Sequence, residues 1–295
     1  MGDAGAPRKA GLAVVRCGDN SLHGQWACGT QMFDVAVSYF GNDETKSFPE
    51  ARYVHRLKAG KWDGIYAFFQ AHPELREAYD YYWFPDDDLA LSAEAADQLL
   101  RIGQDKGLDL FQPALDSRSY YTHLITFAVA GNLLRYTNFV EIMAPVLSRR
   151  LFKQALLTFA DTRTGFGLDM LWPQMVETMR HDDRRGCAII DCITMEHTRP
   201  IGTALKALVS SDGGRSARDE MASILALVRH RNPLFRSLKM AIPRKRVYAM
   251  VRADGGTTGK IAQFFLLARA LLFFRNQVQK IRRRRAFLLA VTATL

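Results

Sequence analysis

Short blocks of apolar residues punctuate the amino-terminal two-thirds of the chain, and their spacing predicts alternating strands and helices. Gly11 to Arg16 (GLAVVR) is an unbroken apolar run that reads as a first strand, followed by the polar loop CGDNSLHGQW. Asp34 to Phe40 (DVAVSYF) alternates and is β-branched, which predicts a second strand ending in the turn cluster Gly41-Asn42-Asp43. Trp62 to Ala71 reads as a helix with Ile65, Phe68 and Phe69 on one face and Pro73 beyond its end. Tyr79 to Phe84 is an aromatic run that fits a buried strand, and Pro85, which has no N–H for a ladder, favours a break there.

Ser92 is placed as the N-cap of a helix running to Lys106, with Glu94 near its positive end and Gly107 as the stop. A short strand, Leu108 to Phe111, is expected to close at Gln112-Pro113, and another is expected from Asn138 to Val146. Ser148 caps an amphipathic helix with Leu151, Ala155, Leu156 and Phe159 inward. A loop from Asp161 to Gly167 leads to Leu168-Asp169 and a helix over Met170–Met179. Cys187 to Ile193 is a further strand, continued by Thr194-Met195-Glu196-His197. This order, without internal repeats, predicts an α/β sandwich. After Pro200 the pattern turns helical, around 203–209 and 217–230. The division expected is a domain over residues 10–203 and a helical, basic region over 204–295.

Composition adds three points. A chain of 295 residues, 48% of them hydrophobic, can bury a substantial core. The formal charge of +10 is concentrated at one end. Twelve basic residues follow Met240, including Arg282 to Arg285, against the single acid Asp254, so the body is close to neutral. The four cysteines (17, 28, 187 and 192) have no CxxC spacing, which argues against a zinc ribbon or a dense disulfide framework. The amino terminus lacks the apolar core of a signal peptide, and Ala6 breaks the myristoylation pattern. A cytoplasmic setting is therefore expected.

The chemistry concentrates in a few acids and one histidine. Asp86, Asp87 and Asp88 follow the aromatic strand, where open α/β sheets place their ligands. Three adjacent carboxylates repel one another, and a hard divalent cation, Mg2+ or Mn2+, would offset that repulsion. A solvated, helix-capping loop is the plain alternative. His197 sits at a strand end, and Asp169 follows the glycines of Gly165-Phe166-Gly167, which allow close backbone approach. Hydrogen-bonded structural roles, a helix cap for Asp169, are the alternatives. Glu141 lies among apolar neighbours, so it is either satisfied internally or faces a pocket. Two apparent motifs fall away. Gly255 to Lys260 has Asp254 and Ile261 where a phosphate loop needs Gly and a hydroxyl, and His181-Asp182-Asp183 lies in an Arg-rich polar connection.

Taken together, WFPDDDL, LDLFQPALD, NFVEIMAPVLSR, GFGLD and IIDCITMEHTRPIG resemble, in that order, the DUF707 family over roughly residues 10–203, a family similar to the GT-A glycosyltransferases. The family's acidic motif is matched by Asp86, Asp87 and Asp88, and its Gly-Leu-Asp by Gly167, Leu168 and Asp169. Its Asp…His pair is matched by Asp191 and His197, and Phe166 stands where many relatives carry Trp. The resemblance implies a GT-A-like, Rossmann-type α/β/α sandwich with a helical basic extension. It further implies transfer of a sugar from a nucleotide-sugar donor to a hydroxyl of a glycan or lipid-linked acceptor, assisted by Mn2+ or Mg2+. In that scheme Asp86, Asp88 and His197 hold the cation, and Asp86 and Asp87 with Arg16 and Asp43 contact the nucleotide. Asp169 is the general base, and Glu141 bonds the acceptor. The competing readings are a glycan- or nucleotide-binding protein without turnover, and nucleic-acid binding by the tail. For the tail, a basic helix interleaved with Phe264, Phe265, Leu266, Leu271, Phe273 and Phe274 fits peripheral attachment to an anionic membrane better.

Overall fold

The computed structural model describes residues 8–160, 162, 164–181, 183–200, 217–239 and 244–257. The basic tail beyond residue 257 and the 203–209 helix lie outside these residues. The strands are β1 (Gly11–Cys17), β2 (Phe33–Tyr39), β3 (Tyr53–Arg56), β4 (Tyr81–Trp83), β5 (Leu89–Ala90), β6 (Leu110–Leu115), β7 (Asn132–Thr137), β8 (Val146–Ser148), β9 (Cys187–His197) and β10 (Val247–Arg252). The helices are α1 (Gly24–Ala27), α2 (Lys61–Ala71), α3 (Ala93–Asp105), α4 (Arg149–Ala155), α5 (Leu168–Met179) and α6 (Ala217–Arg231).

One sheet runs in the order β10-β7-β9-β6-β8-β4-β1-β2-β3, with β5 paired to β9. β3, β2, β1 and β4 are mutually parallel, as are β6 and β9, while β8 is antiparallel to both of its neighbours, β4 and β6. The strand ends after β1, β4, β6 and β9 therefore share one edge. Alternation along β1 sends Leu12 and Val14 into one core and Ala13 and Val15 into the other. The first core is covered by α2, α4, α5 and α6, and the second by Trp26 and α3. Helices on both faces of this mixed sheet make the α/β/α sandwich.

Local chemistry sets the boundaries. Ser92 and Ser148 accept from the amides of Ala95 and Leu151, N-caps worth about 1 kcal/mol each. Gly107 ends the α3 segment at φ 57°.

Three expectations need correction. The segment 138–145 is not a strand. Its buried polar groups are met outside any ladder: Gln112 accepts from the Glu141 amide, Lys61 donates to the carbonyls of Ile142 and Met143, and Phe84 donates to Pro145. β6 does not stop at Gln112. It runs through Pro113, which the sheet tolerates because the register with β9 shifts directly after it. The division at residue 203 does not follow the fold either, since β10 is the edge strand beside β7 and α6 packs Met221, Ile224, Leu225 and Val228 into the first core.

Candidate active site

The acidic triplet leaves β4 at the shared carboxyl edge, and its three side chains diverge. Asp86 turns toward α2, where the ammonium of Lys61 stands 2.5 Å from its Oδ1. Asp87 turns toward β1, accepting from the Gly18 amide at 2.9 Å and from Arg199 at 2.9 Å. Its carbonyl also accepts from the Leu22 amide, so Asp87 grips both ends of the loop after β1. Asp88 turns toward the end of β9. There β5 pairs Leu89 with His197, and His197 Nε2 lies 3.2 Å from Asp88 Oδ2.

His197 is held from behind. Its Nδ1 lies 2.9 Å from the Tyr120 carbonyl and donates to it, and its amide donates to Ser119. Burial opposes charge on this imidazole, but Asp88, Asp86 and Glu141 outweigh it and hold the group above its ordinary value. With Nδ1 committed to Tyr120, the protonated ring donates Nε2–H to Asp88, and the neutral ring leaves the Nε2 lone pair free for a cation.

Two further carboxyls complete the cleft. Glu141 is 8% exposed, and its Oε2 has no hydrogen-bond partner. Burial, and then Asp169 and Asp86 against the pull of His197 and Lys245, push its carboxyl up to about 7. Asp169 lies in the first turn of α5, behind Gly167, whose φ is 87°. Burial pushes Asp169 up to about 6, opposed by Lys245 and by amides of the helix start. His123 faces Asp169 at 3.9 Å through Nε2, and Lys245 Nζ contacts its Nδ1 at 3.2 Å. Burial and the Lys245 charge lower His123 to about 4, so it is neutral, with Nε2–H toward Asp169. His197 is acted on by Asp88, Asp86 and Glu141, and Asp169 by Lys245, while Glu141 feels both groups. Glu141 is thus electrostatically coupled to Asp169, Asp86, His197 and Lys245.

Not every expected residue faces this cleft. Among the described residues no three His, Cys, Asp or Glu side chains converge on a metal position. Of the three expected ligands, Asp88 and His197 are together, and Asp86 is paired with Lys61. Arg16 sends its guanidinium to Ser38, Leu57 and Ala59, tying β1 to β2 and to the segment before α2. Asp43 is exposed and accepts from the Thr45 amide and hydroxyl. Asp191 forms a buried pair with Arg135 and does not join His197. Sequence reasoning missed Lys61, His123, Lys245 and Arg199. Only Arg199 carried a signal, standing two residues after His197. A groove of about 490 Å³ lies at the opposite edge, by Asp80, Asp109, Arg149 and Arg150, and its charges are mutually paired.

The donor set left at the cleft suits a divalent cation. One carboxylate and one imidazole nitrogen 3.2 Å apart leave the remaining positions for water and phosphate oxygens.

Residues 33–136, from β2 to β7, match the family model described as "Protein of unknown function (DUF707)". The chain carries a DUF707 segment. The match takes in Asp86, Asp87 and Asp88 and leaves Glu141, Asp169 and His197 outside. Among solved structures, the chain is similar to GalNAc-T7 with UDP, GalNAc and Mn2+, at 8% identity and a TM-score of 0.50, over 73% of this chain and 48% of that one. This chain therefore spans about half the length of that relative. It is also similar to S. aureus TarS 1–349 with UDP-GlcNAc (12% identity, TM-score 0.46, 76% and 70% covered). A third is glucosyl-3-phosphoglycerate synthase from Mycobacterium tuberculosis with Mn2+, UDP and its product (12%, 0.43, 75% and 80%). No curated protein sequence matches. The likeness to GalNAc-T7 shows the fold alone: a mixed α/β sheet fold of the GT-A glycosyltransferase kind.

Proposed function

We propose that this protein is a metal-assisted glycosyltransferase moving a sugar from a nucleotide-sugar donor to a hydroxyl of a glycan or lipid-linked acceptor. The observation that carries the reading is the Asp88–His197 pair set at the carboxyl edge of the sheet. Asp88 and His197 are the residues that would hold the cation, Mn2+ or Mg2+. Bound there, it supplies charge neutralisation for a departing nucleoside diphosphate. The loop after β1, gripped by Asp87 and with Asp43 beside it, is the nucleotide side, and Arg16 braces the neighbouring β1–β2 edge.

Asp169 takes the proton of the acceptor hydroxyl as that oxygen attacks the anomeric carbon. Such a transfer is worth on the order of 10²–10⁴ in rate. Neutral His123 turns Nε2–H toward Asp169 at 3.9 Å, longer than a hydrogen bond. Glu141, with Oε2 unpartnered, offers a buried hydrogen-bonding atom to the same hydroxyl. The basic tail and its membrane-surface role lie outside the described residues. Among the described residues no helix is long and apolar enough to cross a membrane. The cytoplasmic face of a membrane is the proposed location, and unchanged vesicle co-sedimentation after removal of residues 260–295 would exclude tail-mediated attachment.

The reaction is tested by incubating the full chain with UDP-, GDP- and dTDP-sugars and Mn2+. Metal-dependent release of one nucleoside diphosphate, lost in Asp169→Asn with folding intact, is expected. A folded protein that binds a nucleotide-sugar and never consumes it is a binding module instead.

A further inference from the structure

We infer that the acceptor is an anionic molecule whose phosphate or carboxylate group is received by Lys245 on the rim of the cleft. The inference rests on the transferase reading above and names the class of its second substrate.

Lys245 is built into position. Asn138, at the end of β7, donates to the Arg244 carbonyl at 3.0 Å and accepts from the Arg246 amide at 2.7 Å. Thr137 adds a bond to the Arg246 carbonyl at 2.8 Å. These contacts bolt the segment before β10 to the sheet. The Lys245 ammonium then lies 4.5 Å over the Phe139 ring and 3.2 Å from His123 Nδ1. Among the described residues its close partners are thus a ring face and a neutral imidazole, neither of them an anion.

The other cations of the cleft differ. Lys61 is matched to Asp86, and Arg199 to Asp87. Lys245 is exposed, between the exposed Arg244 and Arg246. A lysine ammonium offers three donors and binds phosphate or carboxylate as a point charge through short, charge-assisted bonds.

Its place in the cleft selects the acceptor over the donor. One imidazole joins Lys245 to Asp169, through Nδ1 on one side and Nε2 on the other. An acceptor anchored by its anion at Lys245 places a hydroxyl one ring-width away, at the Asp169 carboxylate. Glu141 Oε2 is buried and without a hydrogen-bond partner. The donor's diphosphate belongs to the Asp88–His197 pair, whereas Lys245 lies against His123 and Phe139. A neutral sugar in this seat would offer Lys245 no charge-assisted bond.

Calorimetric titration of the full chain tests this, using glycerol 3-phosphate and glucuronate against glycerol and glucose. Wild type is expected to bind the anionic probes about ten-fold or more tightly than the neutral ones. In Lys245→Gln that preference is lost, and in Lys245→Arg most of it is retained. The preference shrinks in roughly 0.5 M sodium chloride, because the site is exposed. Whichever of the phosphate and carboxylate probes holds the larger preference identifies the anion. Equal binding of charged and neutral probes overturns the inference. So does a Lys245→Gln variant that loses UDP affinity in Mn2+ as strongly as it loses the anions, since Lys245 would then serve the donor. Failure of wild type to bind UDP with Mn2+ defeats the transferase reading itself, and is read in a separate titration.

Discussion

His197 meets Asp88 across the two-rung ladder of β5 and β9, with Nε2 3.2 Å from Oδ2 while Nδ1 is committed to the Tyr120 carbonyl. The pair joins the loop after β4 to the far end of β9, two segments more than a hundred residues apart in sequence. In the metal-free protein it is an ion pair whenever the imidazole is protonated. In the proposed reading a cation would replace that proton, so metal binding and protonation would compete at one nitrogen.

Manganese affinity should therefore depend on pH. His197 is held above its ordinary value, so its proton persists above pH 6.5, and affinity should keep rising as pH climbs past that point. The sign is opposite for stability without metal. The protonated pair stabilises the fold fully below the unfolded histidine value, and that contribution fades as pH rises through the folded value. Mn2+ titrations between about pH 5.5 and 8.5 check the first statement. His197→Gln should show weak binding with little pH dependence.

Asp169 should set the acid limb of the pH–rate profile. It acts as a base only when ionised, and its carboxyl titrates at about 6. The value of kcat/KM should fall below that pH, with Glu141 contributing to the apparent value because the two carboxyls interact. Asp169→Asn should remove on the order of 10²-fold or more of the rate at every pH.

Glu141 should cost stability at alkaline pH. A folded carboxyl at about 7 rather than 4.5 contributes stability below pH 4.5 that is lost progressively as pH rises to 7. Glu141→Gln should be more stable than wild type at pH 8, by up to about 3 kcal/mol, and should lose that advantage near pH 5. Denaturant melts at the two pH values measure it. A variant less stable at pH 8 would show that the carboxylate has a partner.

Arg135 and Asp191 should behave as scaffold. Their side chains are 1% and 0% exposed, with Nε 2.9 Å from Oδ2, and Arg135 also donates to the carbonyls of Ile125 and Phe127. Breaking one side leaves a buried charge, at about 3–5 kcal/mol. Arg135→Met should lower Tm by roughly 10 °C, as scanning calorimetry would show.

The sequence made parts of this molecule readable because local chemistry decides them. Ser92, Ser148 and Gly107 mark helix ends through their own hydrogen bonds or backbone angles, and the aromatic run before Asp86 has no place except a buried strand. β3 and β7 were hidden for different reasons. Tyr53–Arg56 is four residues of an edge strand, and Arg135 interrupts β7 with a charge whose partner, Asp191, lies on another strand. Residues 138–145 imitate a strand because burial demands apolar residues there, while side chains from Gln112 and Lys61 do the work of a ladder. The acidic triplet was legible as a site, but its division of labour was not. Lys61 claims Asp86 and Arg199 claims Asp87, and both arrive from other elements. His123 and Lys245 belong to no local pattern.

The central claim is that Asp88 and His197 form a metal-dependent nucleotide-diphosphate site. It is tested most directly by titrating UDP into the full chain, with and without Mn2+, in wild type and Asp88→Ala. Binding that requires Mn2+ and falls at least about ten-fold in the variant is the predicted result. UDP affinity that is indifferent to both the metal and Asp88 would contradict it.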